Sequence, residues 1–247
     1  MIDPISISTS EVIRPTLTIV GRSVKLRDYV DKKRSYFIFK RVFDIVFSLG
    51  FILCVLSWLL PLLAILIKCS SRGPVFFLQR RISRGGRSFT CYKLRTMVIN
   101  SEADTQQASE NDSRITSLGS FLRKSNIDEF PQFFNVLKGD MSIVGPRPHM
   151  YSDCAKFASI LPGYKFRNMV KPGLTGLAQV KGFHGPTSTR NSVLIRYHWD
   201  NYYIRNIGMI LDVKIIYKTT IQCLTAVIRF FPERFLVNKP RLDDSLV

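Results

Sequence analysis

Residues 42–67 read VFDIVFSLGFILCVLSWLLPLLAILI, a run of 26 residues with one charged side chain, Asp44, near its start. As a helix rising about 1.5 Å per residue, this run is long enough for the roughly 30 Å hydrocarbon core of a bilayer. A buried helix of a soluble protein seldom has so long an uninterrupted apolar surface. The run is also too long, and too far from the N-terminus, for a secretory signal. We therefore predict a membrane segment.

Basic residues flank this segment on both sides. Residues 1–41 contain nine Lys and Arg, and residues 68–95 contain eight with no acidic residue. Basic flanks tend to stay on the cytoplasmic side, so the pattern favours a re-entrant helix–break–helix over residues 37–72, with a single crossing as the alternative. Pro61 supplies the break because it removes one backbone hydrogen bond, and Ser57 can bond locally to a freed backbone group.

The whole chain is strongly basic. Its 247 residues include 36 Lys and Arg against 18 Asp and Glu, a formal net charge of +18. Such a charge indicates a polyanionic partner, which could be nucleic acid, an anionic membrane surface or a phosphorylated substrate. We expect anionic membrane lipids and no nucleic acid, because nucleic-acid binding does not explain the apolar run.

The five cysteines and three histidines show no pattern of a metal site or a disulfide framework. The cysteines are scattered, odd in number and form no CxxC pair. The histidines share no ligand spacing. Reduced thiols on a cytoplasmic domain are therefore expected.

The remaining sequence predicts a mainly α fold with a small β-hairpin or sheet, an α+β class. A hairpin should turn at Gly85-Gly86, helices should form over FLRKS and PQFFNVLKG, and residues 98–113 should be a polar surface loop or a short exposed helix. Aromatic and basic residues from 198 to 231 are typical of amphipathic helices that lie in a membrane interface. We expect a cytoplasmic catalytic domain over residues 73–226, after the membrane segment. Residues 1–36 and 227–247 should be the N-terminal and C-terminal tails.

The stretch NIDEFPQ, residues 126–132, places Asp128 beside Glu129 in this basic chain. A helix start explains the pair in part, since Asp is a favoured N-cap and Pro131 suits a first turn. Adjacent carboxylates can also divide a reaction, one attacking or ligating a hard divalent cation while the other moves a proton. Arg147, held between two prolines in GPRP, and Arg123 are suited to phosphate oxygens.

Five motifs occur in one order along the chain: GPVFF-x-Q, YKLRTM, RITSLGSFLRKSNIDEFPQFFNVLKGDMSIVGPRP, VKPGLTGLAQVKG and DNYYIRN. Together they resemble the bacterial sugar transferase family, the monotopic polyprenyl-phosphate phosphoglycosyl transferases that start exopolysaccharide, O-antigen and glycoprotein glycan assembly. The resemblance implies that a sugar-1-phosphate passes from a UDP-sugar to undecaprenyl phosphate with release of UMP. It also implies a bacterial inner-membrane protein whose catalytic domain lies on the cytoplasmic face. A homodimer is a further candidate assembly.

The resemblance also assigns roles to individual residues. It implies that Asp128 is the nucleophile and lies near Mg²⁺, with Mn²⁺ as an alternative ion, and that Glu129 supports proton handling or orientation. The basic positions that match phosphate-binding motifs are Lys93, Arg95, Arg123 and Arg147. The positions that match the loop near the nucleotide are Gly173, Thr175, Gly176 and Gln179.

The sequence departs from the family pattern in three places. The Ser-Pro pair at the helix break is separated here into Ser57 and Pro61, which leaves the position of the break open. Phe130 replaces a common Leu, and Asn126 replaces a frequent Ser.

Two other functions stay open: a membrane-associated glycosyltransferase of the Leloir type, which would release UDP, and a non-catalytic membrane scaffold. The absence of a DxD-like metal motif argues weakly against the first, and the carboxylate pair among arginines argues against the second.

Overall fold

The fold is described by a computed structural model, which covers residues 32–99, 112–183, 185 and 189–236. It is mostly helical with two small sheets, as the sequence predicts. The predicted tail over residues 1–36 and the predicted polar loop over residues 98–113 lie mostly outside the described residues. The helices are α1 (Arg34–Phe51), α2 (Ser57–Ser70), α3 (Ser117–Lys124), α4 (Gln132–Lys138), α5 (Tyr151–Ile160), α6 (Leu177–Val180), α7 (Arg190–Arg205) and α8 (Met209–Leu236).

The C-terminal helix is longer than predicted. The sequence placed the start of a loose tail at residue 227, but α8 continues to Leu236. No helix-breaking glycine lies between these positions, and the proline at 232 does not end the helix. Residues 237–247 of the predicted tail lie outside the described residues.

Helices α1 and α2 are joined by a π-helical turn, Ile52–Leu56, into one helical run from Arg34 to Ser70. This run is long and apolar enough, by length and composition, to cross a membrane. The break predicted at Pro61 is wrong, because the helix continues through that residue. The run departs from α-helical geometry earlier, at the π turn, which ends directly before Ser57. Ser57 Oγ donates to the carbonyl of Leu53 at 2.7 Å, as the local bond predicted for it. Pro61 lies inside α2.

Both ends of this long helix pack on the same domain. Near the start of α1, Lys40 Nζ donates to the buried Asp212 carboxylate of α8 at 2.7 Å, and Asp44 accepts the backbone N–H of Ile143 at 3.1 Å. At the end of α2, Leu63 and Ile67 are buried in a cluster with Leu94 and Leu122. The opposite face is exposed and apolar, and includes Ile38, Phe39, Val42, Val46, Leu53, Trp58 and Ile65.

The hairpin forms where the sequence predicts it. Strands β1 (Phe76–Ile82) and β2 (Ser88–Leu94) pair antiparallel, from Phe76 opposite Leu94 to Ile82 opposite Ser88. Gly85 and Gly86 have φ angles of 70° and 80°, values that residues with a side chain seldom adopt. Strand β2 leads from this turn to the candidate site, because Lys93 lies near its end.

A second, parallel pair fixes the GPRP turn. Strand β3 (Ser142–Val144) pairs with β4 (Gly173–Thr175), and Gly145 directly follows β3. A Cβ atom on Gly173 would lie 2.0 Å from the nitrogen of Gly145, and one on Gly176 would lie 2.2 Å from its carbonyl oxygen. The two backbones are therefore in contact with no room for side chains, which defines the position of the residues that follow Gly145.

Candidate active site

The two adjacent carboxylates lie on a short 3-10 turn, Ile127–Glu129, between α3 and α4. Asn126 precedes the turn with a left-handed φ of 58° and makes no side-chain cap. Because α4 begins only at Gln132, the pair does not cap that helix, so a plain helix start does not explain it. Asp128 and Glu129 are 9% and 7% exposed.

The residues on either side of the pair pack on the long apolar helix. The ring of Phe130 meets Phe51 of α1 edge-on, with ring centroids 5.1 Å apart. Ile127 packs against the buried cluster that contains Leu63 and Ile67 of α2. These contacts lie on either side of the π turn, so the carboxylates are held where the long apolar helix meets the rest of the protein.

Glu129 is bound by two basic residues. Lys93 Nζ donates to its Oε1 at 2.7 Å. The Arg147 guanidinium donates to both oxygens, at 2.7 and 3.2 Å. Burial disfavours the charged form, but Arg147 and then Lys93 outweigh burial and hold the pKa of Glu129 well below its usual range. Glu129 therefore stays ionised at neutral pH and anchors both cations.

Asp128 has a different environment. Its carboxylate makes no hydrogen bond or ion pair with any residue in the described part of the chain, although Lys93, Arg123 and Arg147 act on it electrostatically. Burial, with a further contribution from the charge of Glu129, raises the pKa of Asp128 to about 6 against the attraction of those cations. A carboxylate that is free, buried and more basic than usual is suited to nucleophilic attack.

Arg147 is positioned by residues that the sequence analysis missed. Arg167 Nη2 donates to the carbonyl of Arg147 at 2.6 Å, and Arg81 Nη1 donates to that of Pro148 at 2.5 Å. Arg167 is itself buried and paired with Asp200 at 2.8 Å. The sequence signal for Asp200 was its place in the motif DNYYIRN, whereas Arg167 lies in none of the five motifs.

Arg123 and Arg95 are the other two basic residues predicted to bind phosphate, and they lie in different surroundings. Arg123 lies near the pair, since its charge acts on the pKa of Asp128, and its Nη1 lies 3.5 Å from the hydroxyl of Thr96. Arg95 does not contact the pair. Its guanidinium donates to the carbonyls of Arg72 at 2.6 Å and Ser71 at 2.7 Å, at the C-terminal end of α2. Arg95 thus binds backbone carbonyls directly after the end of α2, and its predicted role in holding phosphate stays a prediction.

The loop predicted to contact the nucleotide packs closely on the residue that begins the GPRP turn. A Cβ atom on Gly173 or Gly176 would overlap the backbone of Gly145. The hydroxyl of Thr175 is buried and lies 2.6 Å from that of Thr219 in α8. Gln179 Nε2 donates to the carbonyl of Leu174 at 3.3 Å, and its buried Oε1 has no partner in the described part of the chain. The structure gives these contacts within the protein, and contact of the four residues with the nucleotide stays a prediction.

The sequence matches a known protein family over most of its length. The profile of the bacterial sugar transferase family matches residues 35–226. This chain belongs to the bacterial sugar transferase family. The matched range begins in α1 and ends in α8, so it includes the long apolar helix, both carboxylates and the GPRP turn.

Individual relatives support the same assignment. The chain is 44% identical, over 74% of its length and 39% of the relative, to a UDP-glucose:undecaprenyl-phosphate glucose-1-phosphate transferase of Klebsiella pneumoniae. It is 47% identical, over 66% of its length and 38% of the relative, to a UDP-N-acetylgalactosamine-undecaprenyl-phosphate N-acetylgalactosaminephosphotransferase of Aeromonas hydrophila. It is 39% identical, over 76% of its length and 96% of the relative, to the exopolysaccharide production protein PSS of Rhizobium leguminosarum bv. phaseoli. The first two are much longer proteins, of which this chain spans less than half.

The opposite pKa shifts of the two carboxyl groups predict opposite effects on stability. Folding raises the pKa of Asp128 from 3.8 to about 6, so its contribution to stability is complete below about pH 4 and is lost as the pH rises through 6. Asp128→Asn should therefore be more stable than the wild type at pH 7.5, by about 3 kcal/mol, and equally stable at pH 4. Thermal unfolding in detergent at both pH values measures this difference.

Glu129→Gln is the matched comparison. It should lower stability at pH 7.5 by about 3–5 kcal/mol, because it leaves two buried cations without their carboxylate. If both variants destabilise the protein equally at pH 7.5, the two carboxylates do not occupy the different environments described here.

Proposed function

We propose that this chain transfers a sugar-1-phosphate from a UDP-sugar to undecaprenyl phosphate and releases UMP, through a covalent intermediate on Asp128. The observation that carries the proposal is the contrast between the two carboxylates: Glu129 is bound by Lys93 and Arg147, and Asp128 is buried beside them without a hydrogen-bond partner among the described residues. The names of the relatives from Klebsiella pneumoniae and Aeromonas hydrophila describe the same class of reaction with different sugars.

The reaction proceeds in two displacements. A carboxylate oxygen of Asp128 attacks the β-phosphorus of the UDP-sugar, and the bond from that phosphorus to the bridging oxygen breaks, so that UMP leaves with the electron pair. A phosphate oxygen of undecaprenyl phosphate then attacks the same phosphorus and releases the Asp128 carboxylate. Each step exchanges one phosphorus–oxygen bond for another, so no ATP is consumed.

The basic residues around Asp128 favour both steps. Lys93 has three N–H donors and Arg147 has five, and Glu129 uses only some of them. The remaining donors, with those of Arg123, can bind the oxygens of the phosphate that is attacked. Glu129 acts in this scheme by orientation: its depressed pKa keeps it ionised, which makes proton transfer a poor role for it.

A divalent cation fits the site only together with the substrate. In the part of the chain that the structure describes, no group of three or more His, Cys, Asp or Glu side chains could hold a metal ion. Mg²⁺ commonly binds one or two carboxylates together with substrate phosphates, and the Asp128 carboxylate has no hydrogen-bond partner among residues 32–99, 112–183, 185 and 189–236. The ion would offset the repulsion between this carboxylate and the diphosphate.

The membrane arrangement that fits best is a re-entrant helix. Lys33 Nζ of the segment before α1 donates to the carbonyl of Ile207 at 2.6 Å, and Arg95 binds the end of α2, so a single domain holds both ends of the helix. A helix that crossed the bilayer would place these ends on opposite sides. Helix α8 also has exposed apolar residues that could rest on a membrane surface, among them Ile210, Tyr217 and Ile228. We propose that the domain rests on the cytoplasmic face of the inner membrane.

Topology can be tested by cysteine labelling in intact cells. Single cysteines at Ser8 and Ser109, in a background without the five native cysteines, should both resist a membrane-impermeant reagent and react after permeabilisation. A cysteine on a known periplasmic protein serves as the positive control. Labelling at Ser8 in intact cells would contradict re-entry and support a spanning helix.

Release of UMP in the absence of lipid tests the covalent intermediate. Wild-type protein incubated with UDP-sugar alone should release about one UMP per active site, and the peptide containing Asp128 should gain the mass of a sugar phosphate. Asp128→Asn should lose turnover by several orders of magnitude, because it keeps the volume but removes the nucleophile. Glu129→Gln should be impaired yet still form the adduct slowly.

The nucleotide product separates the alternatives. Release of UMP only after undecaprenyl phosphate is added would replace the covalent scheme with direct attack in a ternary complex. Release of UDP would identify a Leloir-type glycosyltransferase. A panel of UDP-sugars is needed, because the relatives act on different sugars by name.

Metal removal provides a further prediction. Activity should disappear with excess chelator and return on addition of Mg²⁺ or Mn²⁺, since the proposed ligands are hard oxygen atoms. Thermal stability without substrate should change little, because one carboxylate holds the ion weakly in the absence of phosphates. Full turnover in chelator would remove the metal from the scheme.

A further inference from the structure

Two basic side chains, Arg41 of α1 and Lys171, approach each other at Gly139, a place that the proposed reaction does not use, and a third, Arg84, acts electrostatically on Lys171. We call them the basic triad. A Cβ atom on Gly139 would lie 3.5 Å from both Nη2 of Arg41 and Nζ of Lys171, so these two nitrogens are at most twice that distance apart. The Arg84 guanidinium lies 5.9 Å from the ring of Phe37, one helical turn before Arg41.

No carboxylate neutralises the triad in the described residues. The Arg41 guanidinium donates to the carbonyls of Val136 at 2.6 Å and Leu137 at 2.8 Å, which fixes it at the end of α4. The nearby acids are Asp44, which accepts the N–H of Ile143, and Asp140, and neither forms an ion pair with the triad. Partial burial, then the charges of Arg41 and Arg84, lower the pKa of Lys171.

The surroundings of the triad indicate the kind of anion that it binds. On the same turns of α1, Ile38, Phe39 and Val42 are each more than half exposed and apolar. An anionic group beside an exposed apolar helix surface is the chemistry of a phospholipid, whose phosphate lies next to its acyl chains. Gly139 has a φ of 90°, and a Cβ atom there would already lie 3.5 Å from each cation, so a larger side chain would compete with a phosphate for this position.

We propose that the basic triad binds the phosphate of an anionic phospholipid, whose acyl chains lie against α1. Charge-assisted hydrogen bonds to phosphate are about 2.7–2.9 Å long, so one phosphate group spans two cations at the separation of Arg41 and Lys171. The site differs from the one at Asp128, because the seven residues of α4, about 10 Å of helix, separate Gly139 from the catalytic turn. The proposal rests on membrane attachment but not on sugar-phosphate transfer.

The test is lipid binding to the full chain in neutral detergent, measured by native mass spectrometry. Phosphatidylglycerol and phosphatidylcholine are titrated separately. The test variant is Arg84→Gln with Lys171→Gln, which keeps Arg41 because that residue also binds α4. The matched control is Lys156→Gln with Arg190→Gln, which removes the same two charges from exposed positions on α5 and α7.

The wild type should bind one phosphatidylglycerol about tenfold more tightly than phosphatidylcholine. The test variant should lose this preference, and the control should keep it. In phosphatidylcholine micelles, the test variant should release UMP at the same rate as the wild type. This result would show that the variant is folded and that the basic triad is not part of the active site.

Three results would overturn the proposal. They are the absence of a preference in the wild type, an equal loss in the control, and one-for-one displacement of phosphatidylglycerol by undecaprenyl phosphate. The last would assign the triad to the lipid substrate. Failure of the wild type to associate with vesicles of either lipid would instead contradict membrane attachment.

Discussion

The ion pairs of Glu129 connect the parts of the molecule on which the candidate site depends. Lys93 comes from the end of β2, Glu129 from the turn between α3 and α4, and Arg147 from the GPRP turn after β3. These three segments are far apart in sequence, and one carboxylate brings them together. Breaking a buried pair of this kind leaves uncompensated charges, so none of the three segments can shift alone.

The arrangement makes two neighbouring carboxylates different without any difference in their backbone. Both lie on one 3-10 turn and both are buried. Glu129 has the longer side chain and reaches the two cations, whereas the shorter Asp128 remains near them without contact. Burial then dominates the pKa of Asp128, and the cations dominate that of Glu129. Such a separation of pKa values commonly assigns different roles to paired acids.

Sequence reasoning predicted the features whose causes are local. Gly85-Gly86 predicted the hairpin, and the uninterrupted apolar run predicted the long helix. The family motifs also selected Lys93 and Arg147, which the structure places on Glu129. The motifs could not show that Arg95 and Lys93 have different partners. Arg95 binds backbone carbonyls, which every residue has, so the identity of the neighbouring residues does not predict the contact. The pair of Arg167 with Asp200 spans 33 residues and depends on how α7 packs, so no local pattern indicated it.

The close backbone contact of Gly145 with Gly173 and Gly176 affects how mutations in this family should be interpreted. These glycines have no space for even one added carbon, so any replacement must move the strand that ends at the GPRP turn. An alanine scan would rank them with the acidic pair by loss of activity, because the added carbon alone displaces this strand. Intolerance to substitution at these glycines therefore measures the spacing of two strands, and is not by itself evidence of contact with the nucleotide.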